Sequence, residues 1–273
     1  MLELEHISFR VPAEGGGETA ILSDINLQIS ERFVAITGPN GSGKSTLAKI
    51  IAGIEKPTNG RILLDGQDIT ALSITERARL GISFAFQQPV RFKGITVKDL
   101  ISLAAGEKLS VSAACAYLSE VGLCAKEYIN REVNASLSGG ELKRIEIAGI
   151  FARGTRFSVF DEPEAGIDLW SFQNLIRVFE NMYEKTRGSI LIISHQERIL
   201  DIADKIVLIS GGRVTAEGSK EGVVLVVIVR IQHGRGAEGM IAVYQHHQQH
   251  AAEGDQEGKQ AVPSAPPQAR FSC

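Results

Sequence analysis

The chain has 273 residues, which suits one large domain or two small ones with a sizeable buried core. Hydrophobic residues make up 44% and charged residues 22%, and 29 Lys plus Arg against 32 Asp plus Glu leave a net charge of −3, so nothing in the balance points to nucleic acid or an anionic membrane surface. The longest apolar run, Val223–Val229, is far shorter than a membrane span, Met1–Glu5 is acidic rather than leader-like, and Cys115, Cys124 and Cys273 form no CxxC pair, which points to a reducing cytoplasm and away from a disulfide scaffold or metal cluster.

Residues 1–221 read as one unit, and residues 222–273 do not. Leu2–Phe9 alternates like a half-buried strand and Ile25–Ile29 does so again, with Gly15–Gly17 as a hairpin loop before it. Phe33–Ile36 is continuously apolar, as in a strand buried on both faces, and a helix is expected over Leu47–Ala52. Arg61–Gly66 reads as a strand ending in a turn. Ile82–Phe86, Val159–Phe160, Ile190–Ile193 and Ile206–Ile209 are further apolar runs between helical patterns. The expected class is α/β: a mostly parallel sheet covered by helices, with an added antiparallel piece at the start. From about 96 to 153 the pattern is helical without strands, with Ser112–Leu118 carrying an apolar stripe, and reads as a helical insertion. After residue 221 comes a β-branched run, Val223–Ile231, and then a Gln- and His-rich, apolar-poor segment, for which disorder is the expectation. His246, His247 and His250 read as part of that polar tail rather than as a metal site.

Gly38-Pro39-Asn40-Gly41-Ser42-Gly43-Lys44-Ser45-Thr46 fits G-x-x-x-x-G-K-[ST], with a buried strand before it and a helix after it. Glycines in such a loop let backbone N–H groups converge on phosphate oxygens, and the helix N-terminus adds a favourable dipole. Lys44 supplies a point charge for the β- and γ-phosphates, and Ser45 offers a hydroxyl to Mg²⁺. Phe157–Glu162 is an apolar strand ending in two acids. Asp161 is placed to hold Mg²⁺ through water, and Glu162 to orient or deprotonate an attacking water.

Leu137-Ser138-Gly139-Gly140-Glu141 resembles the LSGGQ signature of ATP-binding cassette (ABC) ATPases, with Glu141 in place of Gln. The order is similar to that family as well: cradle, Gln87 after an apolar strand, signature, Asp161-Glu162, Asp168, then His195. The resemblance covers about residues 1–220 and implies a P-loop ATPase fold, ATP and Mg²⁺ as ligands, and a role for each matching residue. Phe9 would stack on adenine. Gln87 would sense Mg²⁺ and the γ-phosphate. Ser138, Gly139 and Gly140 would bind the γ-phosphate held by another subunit, as exposed N–H groups at a helix start suit an anion. His195 would contact the γ-phosphate, and Asp168 would communicate across a dimer. The resemblance thus implies ATP sandwiched between two protomers, in a transient homodimer or with a second cassette protein.

Three details resemble the ATPase of the SUF iron–sulfur cluster assembly system: Gln87-Gln88-Pro89-Val90 followed by Gly94, the stretch Ser138-Gly139-Gly140-Glu141-Leu142-Lys143-Arg144, and Asp161-Glu162-Pro163-Glu164-Ala165-Gly166-Ile167-Asp168. This resemblance implies a soluble iron–sulfur scaffold as partner. The alternative is the ATP-binding subunit of a membrane transporter docked on a permease. In both cases residues about 88–100 and the helical insertion are expected to carry the contact. Two departures stand out: Ser30-Glu31-Arg32 lacks the Gly the family has before the strand entering the cradle, and the chain beyond Glu221 lacks the expected amphipathic helix.

Overall fold

The computed structural model describes residues 1–223 apart from 14, 135 and 168. The readings of Asp168 and of 224–273 lie outside the described residues. Strands β1 (Leu2–Pro12) and β2 (Glu18–Ile29) form the opening hairpin, with Gly15, Gly16 and Gly17 all at positive φ in its turn. In this pair Leu2 faces Ile29 and Phe9 faces Leu22. Strand β3 (Phe33–Thr37) is buried at all five positions, as its unbroken apolar run requires.

Helix α1 (Lys44–Ala52) begins three residues earlier than the sequence pattern suggests, because the left-handed Gly43 ends the loop and places Lys44 in the first turn. Then come β4 (Asn59–Leu64), β5 (Gln67–Asp68), α2 (Ile74–Arg79) and β6 (Ile82–Ala85). The segment expected to be a helical insertion holds α3 (Val97–Ala105), α4 (Val111–Glu120), α5 (Ala125–Tyr128) and α6 (Gly139–Arg153). One antiparallel bridge, Thr96 to Glu132, interrupts its all-helical character. The chain continues through β7 (Phe157–Asp161), α7 (Leu169–Lys185), β8 (Ser189–Ile193), α8 (Glu197–Asp201), β9 (Lys205–Ser210) and β10 (Arg213–Gly218). Strand β10 is not legible in the apolar pattern: it is an edge strand of half-exposed residues, joined to β9 through Gly211 and Gly212 at positive φ.

Two sheets result. A six-stranded sheet runs β10-β9-β3-β8-β7-β6, parallel except for β10, and a four-stranded antiparallel sheet runs β2-β1-β4-β5. The α/β class with an antiparallel addition is therefore the observed architecture. One apolar core joins the large sheet to α3, α6 and α7, with Phe179 edge-on to both Phe33 and Phe160. A second core fills the space between the two sheets around α1. Because β3, β6, β7 and β8 run parallel, their C-terminal ends open at one edge of the sheet, where ligands of such folds bind.

Candidate nucleotide site

The loop leaving β3 is shaped by glycines that admit no substitute. Gly38 has φ 141°, and a Cβ there would lie 1.9 Å from the Ile209 carbonyl oxygen. A Cβ on Gly43 would lie 2.6 Å from the Leu22 side chain. Leu22 pairs across the hairpin with Phe9, which is half-buried against the second core. Inside the loop the Lys44 ammonium donates to the carbonyls of Gly38 and Pro39, both at 2.8 Å. Burial pulls this ammonium below its usual value, against the opposing charges of Glu162 and Asp161. Asn40 and Gly41 are exposed at the tip, and Ser45 and Thr46 are half-buried on the first turn of α1.

The acids at the end of β7 lie beside this loop. Ser45 Oγ donates to Asp161 Oδ1 at 2.9 Å. Burial pushes the Asp161 carboxyl up, the Ser45 bond works against that, and neighbouring Glu162 adds to it. Glu162 takes a positive φ of 44°, a conformation non-glycine residues adopt mainly where the surroundings impose it, and its N–H is anchored on the Ile193 carbonyl at 3.0 Å. One Glu162 carboxylate oxygen accepts from Gln87 Nε2 at 2.7 Å, and the other lies 3.7 Å from His195 Nε2. Burial and the nearby Lys44 charge lower the His195 pKa while Glu162 opposes them, which favours the neutral imidazole.

Lys44, Ser45, Asp161, Glu162, Gln87 and His195 are thus brought together at the ends of β3, β6, β7 and β8. His195 Nε2 and Ser42 Oγ are buried there without a hydrogen-bond partner among the described residues. These orphaned atoms suit a polar ligand. The Ser45 hydroxyl, the Gln87 carboxamide and the Asp161 carboxylate form a hard-oxygen set that suits Mg²⁺. Arrangements of this kind position phosphates and an attacking water.

The Ser138 turn opens α6, and among the described residues no hydrogen bond joins it to the Lys44 loop. Ser138 Oγ accepts from the Glu141 N–H, and the Glu141 carboxylate accepts from the Ser138 N–H at 2.7 Å, so the pair is a capping box. The Tyr128 hydroxyl donates to the same carboxylate at 2.5 Å. Burial pushes the Glu141 carboxyl up, but the Tyr128 and Ser138 bonds outweigh it and hold the group below its usual value. Glu141 therefore has a structural task as a cap, beyond that of an ordinary surface charge.

Three charged side chains near the site receive no role from the sequence, although Lys143 and Glu164 fall within the stretches quoted above. Lys143 Nζ donates to the Phe86 carbonyl at 2.8 Å and Glu146 Oε1 accepts from the Phe86 N–H at 3.2 Å, so α6 grips the residue before Gln87 from both sides. Glu164 bonds to Ser194, beside His195. The available signal was charge at Lys143 and Glu146, three residues apart within the apolar stretch of α6. Beside Glu146 an apolar cavity of about 350 Å³ is lined by Ile74, Phe84, Phe86, Val90 and Leu142, and Ile74, Phe86 and Val90 are exposed.

Comparison with known proteins agrees with this architecture. Residues 22–165 match the family model described as ABC transporter. An uncharacterised ABC transporter ATP-binding protein of Methanocaldococcus jannaschii is 43% identical over 217 residues, 76% of this chain and 86% of that protein. The probable ATP-dependent transporter ycf16 of Antithamnion is 34% identical over 222 residues, 75% of this chain and 88% of that protein. A dimeric ATP-binding cassette in a post-hydrolysis state, bound to ADP and Pi, superposes with a TM-score of 0.72 at 25% identity, covering 80% of this chain and 98% of that one. No helix among the described residues is long and apolar enough to cross a membrane. The chain belongs to the ABC transporter family and is an ATP-binding cassette ATPase.

Proposed function

We propose that ATP binds with its phosphates in the loop 38–46 of one copy and is cleaved once the Ser138 turn of a second copy covers the γ-phosphate. The observation that carries this reading is the convergence of Lys44, Ser45, Asp161, Glu162, Gln87 and His195 at one sheet edge. Phe9 would stack on the adenine. As the nucleotide enters, the Lys44 ammonium exchanges the Gly38 and Pro39 carbonyls for β- and γ-phosphate oxygens. Ser45 and Gln87 would hold Mg²⁺ directly and Asp161 through water; when bound, the ion neutralises charge across the β- and γ-phosphates. Glu162 takes a proton from the attacking water as a bond forms to the γ-phosphorus and the bond to the β-phosphate oxygen breaks. The neutral His195 steadies the γ-phosphate by donating from Nε2. Asp168 would carry the state of one site to the facing protomer.

The partner we propose is a soluble iron–sulfur scaffold, supported by the SUF-like stretches around Gln87–Gly94, Ser138–Arg144 and Asp161–Asp168. The transporter names of the relatives favour a permease instead. In either case the exposed Phe86 and Val90 beside the apolar cavity offer the docking face.

Glu162→Gln should still bind ATP yet turn over at least about a hundredfold more slowly and accumulate dimers in ATP, whereas Lys44→Ala should fail to bind ATP. Near-wild-type turnover in both variants, measured by phosphate release, would remove the mechanism. Tagged Glu162→Gln chain isolated from its own cells identifies the branch: a co-purifying polytopic membrane protein without a soluble scaffold overturns the scaffold reading.

A further inference from the structure

We propose that Glu164 is a positioning residue which sets the backbone of the 194–196 loop and thereby aims His195; this rests on the role assigned to His195 above. Glu164 lies two residues after Glu162, in a turn closed by bonds from the Ala165 N–H to the Glu162 carbonyl and from the Ile167 N–H to the Glu164 carbonyl. Its carboxylate reaches across to the loop leaving β8. There Glu164 Oε1 accepts from Ser194 Oγ at 2.5 Å, beside the His195 peptide. Ser194, fully buried, in turn accepts the Gln196 N–H on its Oγ at 3.0 Å and ties its own N–H to the Ile36 carbonyl at 3.1 Å.

The peptide groups that carry the His195 ring are therefore organised by one Glu164–Ser194 pair. The same carboxylate joins the turn that follows Glu162 to the loop that bears His195, so the 3.7 Å relation between Glu162 and His195 is held by a bridge independent of either ring or acid. A side chain present for packing alone would leave no acceptor stranded, yet Glu164 Oε2 is buried without a partner among the described residues. A buried unmet acceptor is destabilising, a burden an apolar residue would not carry. The arrangement fits a residue selected for what it orients.

A double-mutant cycle on ATP hydrolysis tests this. In the full chain Glu164→Ala should lower kcat about tenfold or more while the KM for ATP stays within about twofold, and Glu164→Gln, which keeps an acceptor for Ser194, should restore most of the rate. In a His195→Ala background Glu164→Ala should change kcat by less than about twofold, because its effect passes through the ring already removed. An equal loss in both backgrounds, or wild-type kcat in Glu164→Ala, overturns the proposal and leaves the role of His195 standing. Wild-type turnover in His195→Ala alone overturns that role and the proposal with it. Should Glu164→Ala fail to fold, Ser194→Ala breaks the same pair from the other side and decides by the same criteria.

Discussion

Glu146 keeps one carboxylate oxygen on the Phe86 N–H and buries the other without a partner among the described residues. Burial pushes its pKa up to about 7, against the Phe86 bond and the Lys143 charge. Raised in the folded state, this group contributes its stability at acid pH, where the carboxyl is neutral folded or unfolded alike, and loses it as pH climbs from the ordinary carboxylate range through about 7. Glu146→Gln should therefore raise stability by on the order of 2 kcal/mol at pH 8 and make little difference at pH 4.5, as read from urea melts at the two values. Equal effects at both would contradict the shift. Nothing in the local sequence marks Glu146, and the stretch that contains Glu164 gives it no role, since the contacts of both come from what α6 and the turn after β7 pack against. The convergence of Lys44, Asp161 and Glu162 was legible because a strand–loop–helix unit and acids at the end of a neighbouring strand place such residues at one sheet edge.

At the scale of elements, the junction of α1 and α2 turns on one buried arginine. Arg77, 1% exposed, donates to the carbonyls of Ile50 and Ile51 at the end of α1 and to those of Thr70 and Leu72. It supplies a donor to the Ile51 carbonyl and a second one to Ile50, which also accepts the Gly53 N–H. Arg77→Met keeps bulk but strands the carbonyls of Ile51, Thr70 and Leu72, and should cost about 3 kcal/mol by denaturant unfolding; a loss below about 1 kcal/mol would show that water replaces the guanidinium. The buried strands β3, β7, β8 and β9 were legible as apolar runs. Helix α2 and strand β10 were not: α2 is six residues long and mostly polar, and β10 is half-exposed, so neither leaves a periodic signature.

For the whole molecule, two large cores and a smaller third cluster share one large sheet among the described residues, and Val223 belongs to the third. Val223 is buried with Ala35, Leu200, Ile206 and Leu208, two residues past the position 221 expected from the sequence as the end of the unit. A chain ending at 223 should hydrolyse ATP at close to the full-length rate. One ending at 221 should do so too but unfold more easily, by about 1.5 kcal/mol, for want of Val223. A total loss of activity in a soluble 1–223 chain would mean that the remaining residues belong to the site. The class of fold was readable because strands and helices alternate along the chain, whereas which charges end up under which helix depends on topology that no single segment encodes.

The Glu141 cap governs what the turn before α6 can offer an incoming anion. With the Ser138 N–H already spent on the Glu141 carboxylate and the Ser138 oxygen receiving the Glu141 N–H, the serine's hydrogen and the first two amides of the helix, those of Gly139 and Gly140, are the donors left facing outward. The acid's charge is meanwhile drawn inward by Tyr128. On the proposed reading an arriving phosphate would meet those donors beside a muted carboxylate, and Tyr128→Phe, by unmuting it, should weaken ATP-dependent pairing of two copies, measured by light scattering, while ATP binding to the single copy is unchanged.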